Sequence, residues 1–411
     1  FRNRESLQLL RPMIYWPQEE GKPRCQRLKA RSSRNNAALV LEDGTVFLGR
    51  GFGSPKKVAG EVVFNTGMVG YPESMTDSSY YEQILTLTYP LIGNYGIPSF
   101  GEIEYGIPKF FESDSMKING LVVHEYCHSP NHWSSVRTLD QWLKDEGVPA
   151  IMNVDTRRLT KRLRERGTML GILHVCGEEE ELDIPGLREE ARNIENPNER
   201  NLVEEVAADK PIVYDCCGKG TVVILDCGVK YNIIRSFLKR NLNVVRVPYN
   251  TSVSKIIRRE PDGVVISNGP GDPKRIPSIT QTVADIIREN IPLLGICLGT
   301  QILSLACGGD TYKLKYGHRS QNQPSIDLET GRCFITSQNH GYAVEAISLK
   351  KTDLGIWFVN ANDKTIEGIR HKRVDALAVQ FHPEHTPGPT DTEYIFDQFI
   401  QIMEGQRSAK I

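Results

Sequence analysis

The stretch Pro292-Leu-Leu-Gly-Ile-Cys-Leu-Gly-Thr-Gln301 constrains this chain more than any other, because it sets one cysteine between two glycines. An apolar run leads into the cysteine, and a helix-like run, Gln301-Ile-Leu-Ser-Leu-Ala306, leads away from it. That is the strand, sharp turn and helix of a nucleophile elbow, written here G-x-C-x-G. Gly295 and Gly299 let the backbone fold tightly where side chains would collide. Cys297 is then expected at a helix N-terminus, where unpaired N–H groups and the dipole favour thiolate, the attacking form, over thiol. Far downstream, Gln380-Phe-His-Pro-Glu384 offers a histidine with a carboxylate two residues on, a base and its orienting group. Taken singly, a cysteine after a hydrophobic strand is most often a small buried residue, and His-Pro-Glu is a loop. The glycines on both sides of Cys297 turn the combination toward covalent acyl transfer.

With 411 residues the chain exceeds what one compact domain usually holds, so two domains are expected. Lys plus Arg number 50 against 51 Asp plus Glu, a balance that argues against a nucleic-acid surface. No run of about 18 or more apolar residues occurs, so no membrane span is expected. Nine cysteines are scattered without a C-x-x-C pair, which suits reduced thiols in an intracellular protein and not a disulfide framework. His124, Cys127, His128 and His132 have a spacing that zinc could use. Pro130 breaks that segment, however, so a surface loop and no metal are expected.

Residues 1–36 read as a non-core leader. Their arginines suit an organellar transit peptide, and Glu5, Glu19 and Glu20 do not. The location expected is cytoplasmic, or mitochondrial if the leader is such a peptide. Residues 37–177 read as a compact α+β domain. It opens with two β-rich runs around Asp43-Gly44, a hairpin signal, and has helices expected over 137–146 and 156–166. Residues 178–219, with Glu178-Glu-Glu-Glu181, read as a solvated connection or surface helix. From 220 to 405 the pattern alternates. Strands at Val222–Asp226, Val244–Val247, Gly263–Ser267 and Pro292–Cys297 are separated by helices over 230–240 and 283–289. Such alternation predicts an α/β domain with a mainly parallel central sheet. Cys297, Ser267-Asn-Gly-Pro-Gly271 and His382 each follow a predicted strand, so they can converge at the carboxyl edge where open α/β sheets bind ligands.

The elbow followed much later by His-x-Glu resembles the class I (triad) glutamine amidotransferases. The resemblance implies hydrolysis of L-glutamine. Cys297 would attack the side-chain amide to give a γ-glutamyl thioester and ammonia. His382 would shuttle the proton, and Glu384 would fix its tautomer. The N–H of Leu298 and the loop Ser267–Pro273 offer donors to the tetrahedral oxyanion.

Further stretches narrow the likeness. They are Leu41-Glu-Asp-Gly-Thr45, Gly60-Glu-Val-Val-Phe-Asn-Thr-Gly67, Gly70-Tyr-Pro-Glu73, Thr86–Gly96, Asp155-Thr-Arg157, Gln338-Asn-His-Gly341 and Pro387-Gly-Pro389. With them, roughly residues 37–405 resemble the glutaminase (small) subunit or domain of carbamoyl-phosphate synthetase, including the first domain of the multifunctional eukaryotic pyrimidine-pathway proteins. The family pattern places glutamine against Ser79, Gly269, Gly271, Leu298, Gln301, Asn339, Gly341 and Tyr342. Ser79 lies in the first domain, so the pocket would be built from both. His340 is kept outside the triad.

No G-x-x-x-x-G-K-[ST] or other ATP cradle is present, and no cofactor is expected. The resemblance therefore implies ammonia supply to an ATP-dependent carbamoyl-phosphate synthetase large subunit or fused synthetase domain, for pyrimidine or arginine synthesis. In one respect the chain departs from the family. Its elbow usually reads G-I-C-L-G-H-Q, and Thr300 stands here in place of the histidine. A weakened yet active site is the expectation. The alternatives are an amidotransferase partner for anthranilate or guanylate synthesis, which the first domain disfavours, and a catalytically weak or inactive scaffold that stabilises an ammonia-using synthetase.

Overall fold

A computed structural model describes residues 35–409, so the expected leader lies outside the described residues except for Asn35 and Asn36. The chain first closes a seven-stranded barrel. Its strands are β1 (Ala37–Leu41), β2 (Val46–Gly53), β3 (Lys57–Asn65), β4 (Gln83–Leu87), β5 (Gly120–Val123), β6 (Pro149–Met152) and β7 (Met169–Val175), arranged β1-β2-β6-β5-β4-β3-β7. The β1–β2 hairpin turns at Asp43-Gly44. Asp43 Oδ1 accepts the Thr45 N–H at 2.9 Å, and Gly44 takes a φ of 82°, which costs glycine nothing. Closure comes from β1 pairing antiparallel with β7, Leu39 opposite Leu173, across more than a hundred residues.

Between these strands lie α1 (Tyr71–Thr76), α2 (Leu139–Asp145) and α3 (Thr156–Arg166). Asp155 caps α3 through the Arg158 N–H at 2.8 Å, Leu159 and Leu163 point into the core one turn apart, and Gly167 ends it. The expected helix over 137–146 begins later, because Thr138 is extended and caps α2 with its hydroxyl on the Gln141 N–H. The segment read as a connection holds α4 (Ile184–Arg192). Leu187 and Ala191 of α4 cover Ala38 and Val40, while Leu39 and Leu41 pack in the opposite cluster. For this reason β1 is buried on both faces.

The second region is a ten-stranded sheet. Its strands are β8 (Ile212–Tyr214), β9 (Gly220–Asp226), β10 (Leu242–Pro248), β11 (Gly263–Ile266), β12 (Leu293–Ile296), β13 (Thr311–Asp327), β14 (Cys333–Val344), β15 (Leu354–Asn360), β16 (Ile366–His371) and β17 (Ala376–Val379). The order is β8-β10-β9-β11-β12-β17-β16-β15-β13-β14. The five strands from β10 to β17 run parallel, and the remaining pairings on both sides are antiparallel. One face is covered by α6 (Pro277–Arg288) and α7 (Leu298–Ala306), the other by α5 (Tyr231–Leu238) and α8 (Tyr394–Ala409). The buried runs Val222–Leu225 and Val264–Ile266 are apolar throughout because both faces are covered. Helix α6 starts six residues before the expected Val283, with Pro277 at its first position. Among the described residues no helix is long and apolar enough to cross a membrane.

Candidate active site

Strand β12 runs directly into α7, and Cys297 is the residue between them, with φ 55° and ψ −102°. A non-glycine residue held there is strained, as a nucleophile elbow requires. The flanking glycines are needed for close approach. A Cβ on Gly295 would lie 2.7 Å from the Gly299 carbonyl oxygen, and one on Gly299 would lie 2.4 Å from the Ile266 carbonyl oxygen. Leu298 is the first residue of α7, so its N–H has no partner within the helix.

Parallel pairing of β12 with β17 sets Ile296 opposite Val379, and the Cys297 N–H donates to the Val379 carbonyl at 2.9 Å. The chain leaves β17 at the same sheet edge as the elbow, which brings Gln380 and His382 to the cysteine. Gln380 Nε2 donates to Cys297 Sγ at 3.6 Å, and the thiol lies 3.6 Å from the Asn339 carbonyl oxygen. His382 Nδ1 donates to Glu384 Oε1 at 2.6 Å, and its Nε2 is buried without a hydrogen-bond partner among the described residues. The same Glu384 oxygen accepts from Lys230 Nζ at 2.9 Å.

Burial opposes charge throughout this cluster, and the ion pairs overcome it. Against its burial, His382 is pushed up to about 10 by the Glu384 carboxylate, with Cys297 adding to the effect and Lys230 opposing it. Against its own burial, Glu384 is held down to about 2 by Lys230 and His382. Burial would discharge Lys230, but Glu384, Glu112 and Asp77 raise it above ordinary lysine. The result is an imidazolium–carboxylate pair in a dry setting at neutral pH.

One cavity beside Cys297 is lined by Ser79, Gly269, Gly271, Leu298, Gln301, Asn339, Gly341 and Tyr342, all eight residues expected at glutamine. Ser79 comes from the first region. Its hydroxyl accepts from Asn268 Nδ2 at 3.1 Å, and Asp77 bridges Ser79 N–H at 2.9 Å and Asn339 Nδ2 at 2.9 Å. Gln301 Nε2 donates to the Tyr342 carbonyl at 2.9 Å and to Gln380 Oε1 at 3.2 Å. His340 also lines the cavity, but Nδ1 meets the Tyr342 carbonyl at 2.8 Å and Nε2 meets Gln338 at 3.0 Å.

Sequence reasoning missed several residues of this site. Glu61, Gln83, Thr168, Asn198, Lys313 and Arg319 also line the cavity. Glu61 is buried and held below the usual carboxylate range, against burial, by Lys313 at 2.6 Å and by Arg319. Lys230 had a usable signal: a lysine four residues past the buried strand β9, at the carboxyl edge of the sheet. Glu112 had none, and Asp77 none beyond its local turn to Ser79, because Asn232, Arg235 and Asn339 lie far along the chain.

His124, Cys127, His128 and His132 are not brought together as a ligand set. His124 Nδ1 bonds the Val154 carbonyl at 3.0 Å, and His132 bonds Ser134. His318, His340 and Glu367 do cluster, but His318 sits between Asp363 at 2.8 Å and Glu367 at 3.4 Å as an ion-paired imidazole.

Two family models match the chain, "Carbamoyl-phosphate synthase small chain, CPSase domain" over residues 39–173 and "Glutamine amidotransferase class-I" over residues 223–402. The carbamoyl phosphate synthase small chain of Pyrococcus furiosus is 46% identical over 371 residues, covering 90% of this chain and 98% of that protein. The multifunctional protein CAD of Squalus acanthias is 51% identical over 367 residues. The multifunctional protein pyr-3 of Neurospora crassa is 46% identical over 388 residues. The matched region spans 16% of the Squalus protein and 21% of the Neurospora protein. With both domains matched in order and a small chain covered almost end to end, this chain belongs to the carbamoyl phosphate synthase small chain family and carries its class I glutamine amidotransferase domain.

Proposed function

We propose that the chain hydrolyses L-glutamine to glutamate and ammonia through a thioester on Cys297, and hands the ammonia to an ATP-dependent carbamoyl-phosphate synthetase subunit or domain. The observation that supports this best is the register of β12 against β17. It sets a strained cysteine, which lines a cavity built from both regions, beside a buried His382–Glu384 pair.

In this reading Cys297 Sγ, as thiolate, attacks the amide carbon of the glutamine side chain. The oxygen of the tetrahedral adduct takes hydrogen bonds from the Leu298 N–H and the Gly269–Gly271 loop. The His382 imidazolium, held protonated by Glu384, donates to the leaving nitrogen, the C–N bond breaks, and ammonia departs. Neutral His382 then takes a proton from water, whose oxygen attacks the thioester and releases glutamate and the thiolate. Ser79, Gln301, Asn339 and Tyr342 hold the substrate, and the Glu61, Lys313 and Arg319 charges lie within reach of its ammonium and carboxylate ends. Lys230 acts through Glu384 and is a positioning residue.

The test is glutamine hydrolysis by the purified chain beside Cys297→Ser, with and without a cognate synthetase. Hydrolysis that disappears in the variant and rises with the synthetase supports the reading. Folded protein that hydrolyses nothing in either setting overturns it and leaves a scaffold.

A further inference from the structure

Helix α5 carries Lys230 at its start and Asn232 in its first turn, yet Lys230 makes no side-chain cap to it. The N–H groups at its start must find acceptors elsewhere. They find them in the first region. The Glu112 carbonyl accepts the Tyr231 N–H at 2.9 Å, and Glu112 Oε2 accepts the Asn232 N–H at 3.0 Å. The other carboxylate oxygen accepts from Arg235 Nη2 at 2.8 Å, and Arg235 Nε donates to Asn232 Oδ1 at 3.0 Å. Glu112 is therefore a helix cap delivered from another domain, and a carboxylate is the group that a helix N-terminus favours. Its own N–H is tied to Thr76 Oγ1 of α1 at 3.0 Å, and the residue is wholly buried.

What this cap orients is the support of the triad. With its amide oxygen turned to Arg235, Asn232 points Nδ2 at the Glu384 carbonyl and at Thr386 Oγ1. Lys230, at the same helix start, holds the Glu384 carboxylate at 2.9 Å. Two connections thus lead from the helix start that Glu112 caps to Glu384, one to its backbone carbonyl and one to the carboxylate that orients His382.

We propose that Glu112 is a positioning residue for glutamine hydrolysis, through which the first domain sets the His382–Glu384 pair by capping the helix that bears Lys230 and Asn232. This rests on the glutaminase reading above. Glu112 does not line the cavity, so it acts on turnover and not on substrate affinity. The charged groups that face it are Arg235 and Lys230 of the α5 region, Glu73 of α1 and Glu384. His382 in turn faces Glu384, Lys230, Cys297 and His340.

The experiment uses the full chain with Glu112→Gln, Glu112→Asp and, as a control on the same loop, Phe111→Leu. It reads kcat, KM and the pH profile of glutamine hydrolysis, and the rate at which iodoacetamide alkylates Cys297. Glu112→Gln should lower kcat about tenfold or more, since a misplacement of ~1 Å costs up to about 10²-fold, with KM changed less than about twofold. Removing a negative charge from the cluster disfavours imidazolium, so the alkaline limb of the profile should move to lower pH. Glu112→Asp, which keeps the charge on a shorter arm, should return the limb but not all of kcat. Phe111→Leu should loosen the loop without moving the limb. Parent-like kcat and pH profile in Glu112→Gln would overturn the proposal, as would losses that Phe111→Leu reproduces at equal thermal stability. If the parent hydrolyses no glutamine, the functional reading fails on its own and alkylation decides. Slowed labelling of Cys297 in Glu112→Gln then supports the positioning role, and unchanged labelling overturns it.

Discussion

Lys230 Nζ lies 2.9 Å from Glu384 Oε1, with the two side chains 3% and 0% exposed, and that same oxygen holds His382 Nδ1 at 2.6 Å. A single carboxylate oxygen thus answers two buried cations. Lys230 offsets the charge that would otherwise make Glu384 costly to bury, and in doing so it limits how far Glu384 raises His382.

Lys230→Met leaves that carboxylate with one partner. Breaking a buried pair from one side costs about 3–5 kcal/mol, so urea unfolding should show a loss of that order. Lys230 is not in the cavity wall, so kcat should fall while KM for glutamine holds. The fall should lie near the lower end of the ~10²–10⁴-fold that a positioned acid–base supplies. Loss of affinity with kcat intact would place Lys230 at the substrate instead.

The pair also sets a pH window. Glu384 is lowered from 4.5 to about 2, so its contribution to stability is present above pH 4.5 and is lost as pH falls toward 2. His382 is raised from 6.5 to about 10, so its contribution is full below pH 6.5 and is lost as pH rises toward 10. The His382–Glu384 attraction enters both shifts and counts once, while the share of the Glu384 shift that Lys230 supplies stands apart from it. The Tm gap between parent and Glu384→Gln should therefore be widest between about pH 5 and 6.5 and should narrow on both sides. A gap of constant size from pH 3 to 10 would contradict the assignment.

Thr300 is fully buried and its Oγ1 has no hydrogen-bond partner among the described residues. An unpaired buried hydroxyl costs about 1–3 kcal/mol. Thr300→Val should then raise stability by about 1 kcal/mol in chemical denaturation, with kcat and KM within about twofold of the parent. A rise in KM would instead give the hydroxyl a part in holding glutamine. Thr300→His must fit a ring into a fully buried site, at an overpacking cost of about 1–3 kcal/mol.

Gly299 has no room for a methyl, whose nearest neighbour would be backbone, the Ile266 carbonyl oxygen at 2.4 Å. Gly299→Ala must push α7 off β11 and carry Cys297 with it. Expected are a loss of about 1–3 kcal/mol and a drop in kcat of about 10²-fold, checked by thermal melts and thiol labelling. Gly405→Ala in α8, with open space around it, should be silent or stabilising by about 0.5–1 kcal/mol.

Much of the site is legible in the sequence because its reacting groups sit in short contiguous motifs. The glycines around Cys297 announce a turn that other residues cannot make, and His382 and Glu384 are two residues apart in one segment. Helix α3 is legible for the same local reason, from its Asp155 cap to its Gly167 stop. The barrel is not, since closure depends on Leu39 meeting Leu173 and neither residue encodes the other. A hairpin-rich end after the parallel strands is legible around Cys333 and Ala376, but its register is not, since β13 pairs both with β14 and with the later strand β15.

The sequence alone determined the cysteine, histidine and glutamate motifs, the alternating order of the second domain and the family, since each of these rests on local pattern. Tertiary structure decided which groups surround those motifs. Lys230 meets Glu384 across 154 residues, Glu112 meets Asn232 across 120, and Asn339 meets Asp77 across 262. Such contacts leave no periodicity, because a buried carboxylate needs only a donor or a cation at bonding distance, and only the folded chain determines which residue that is.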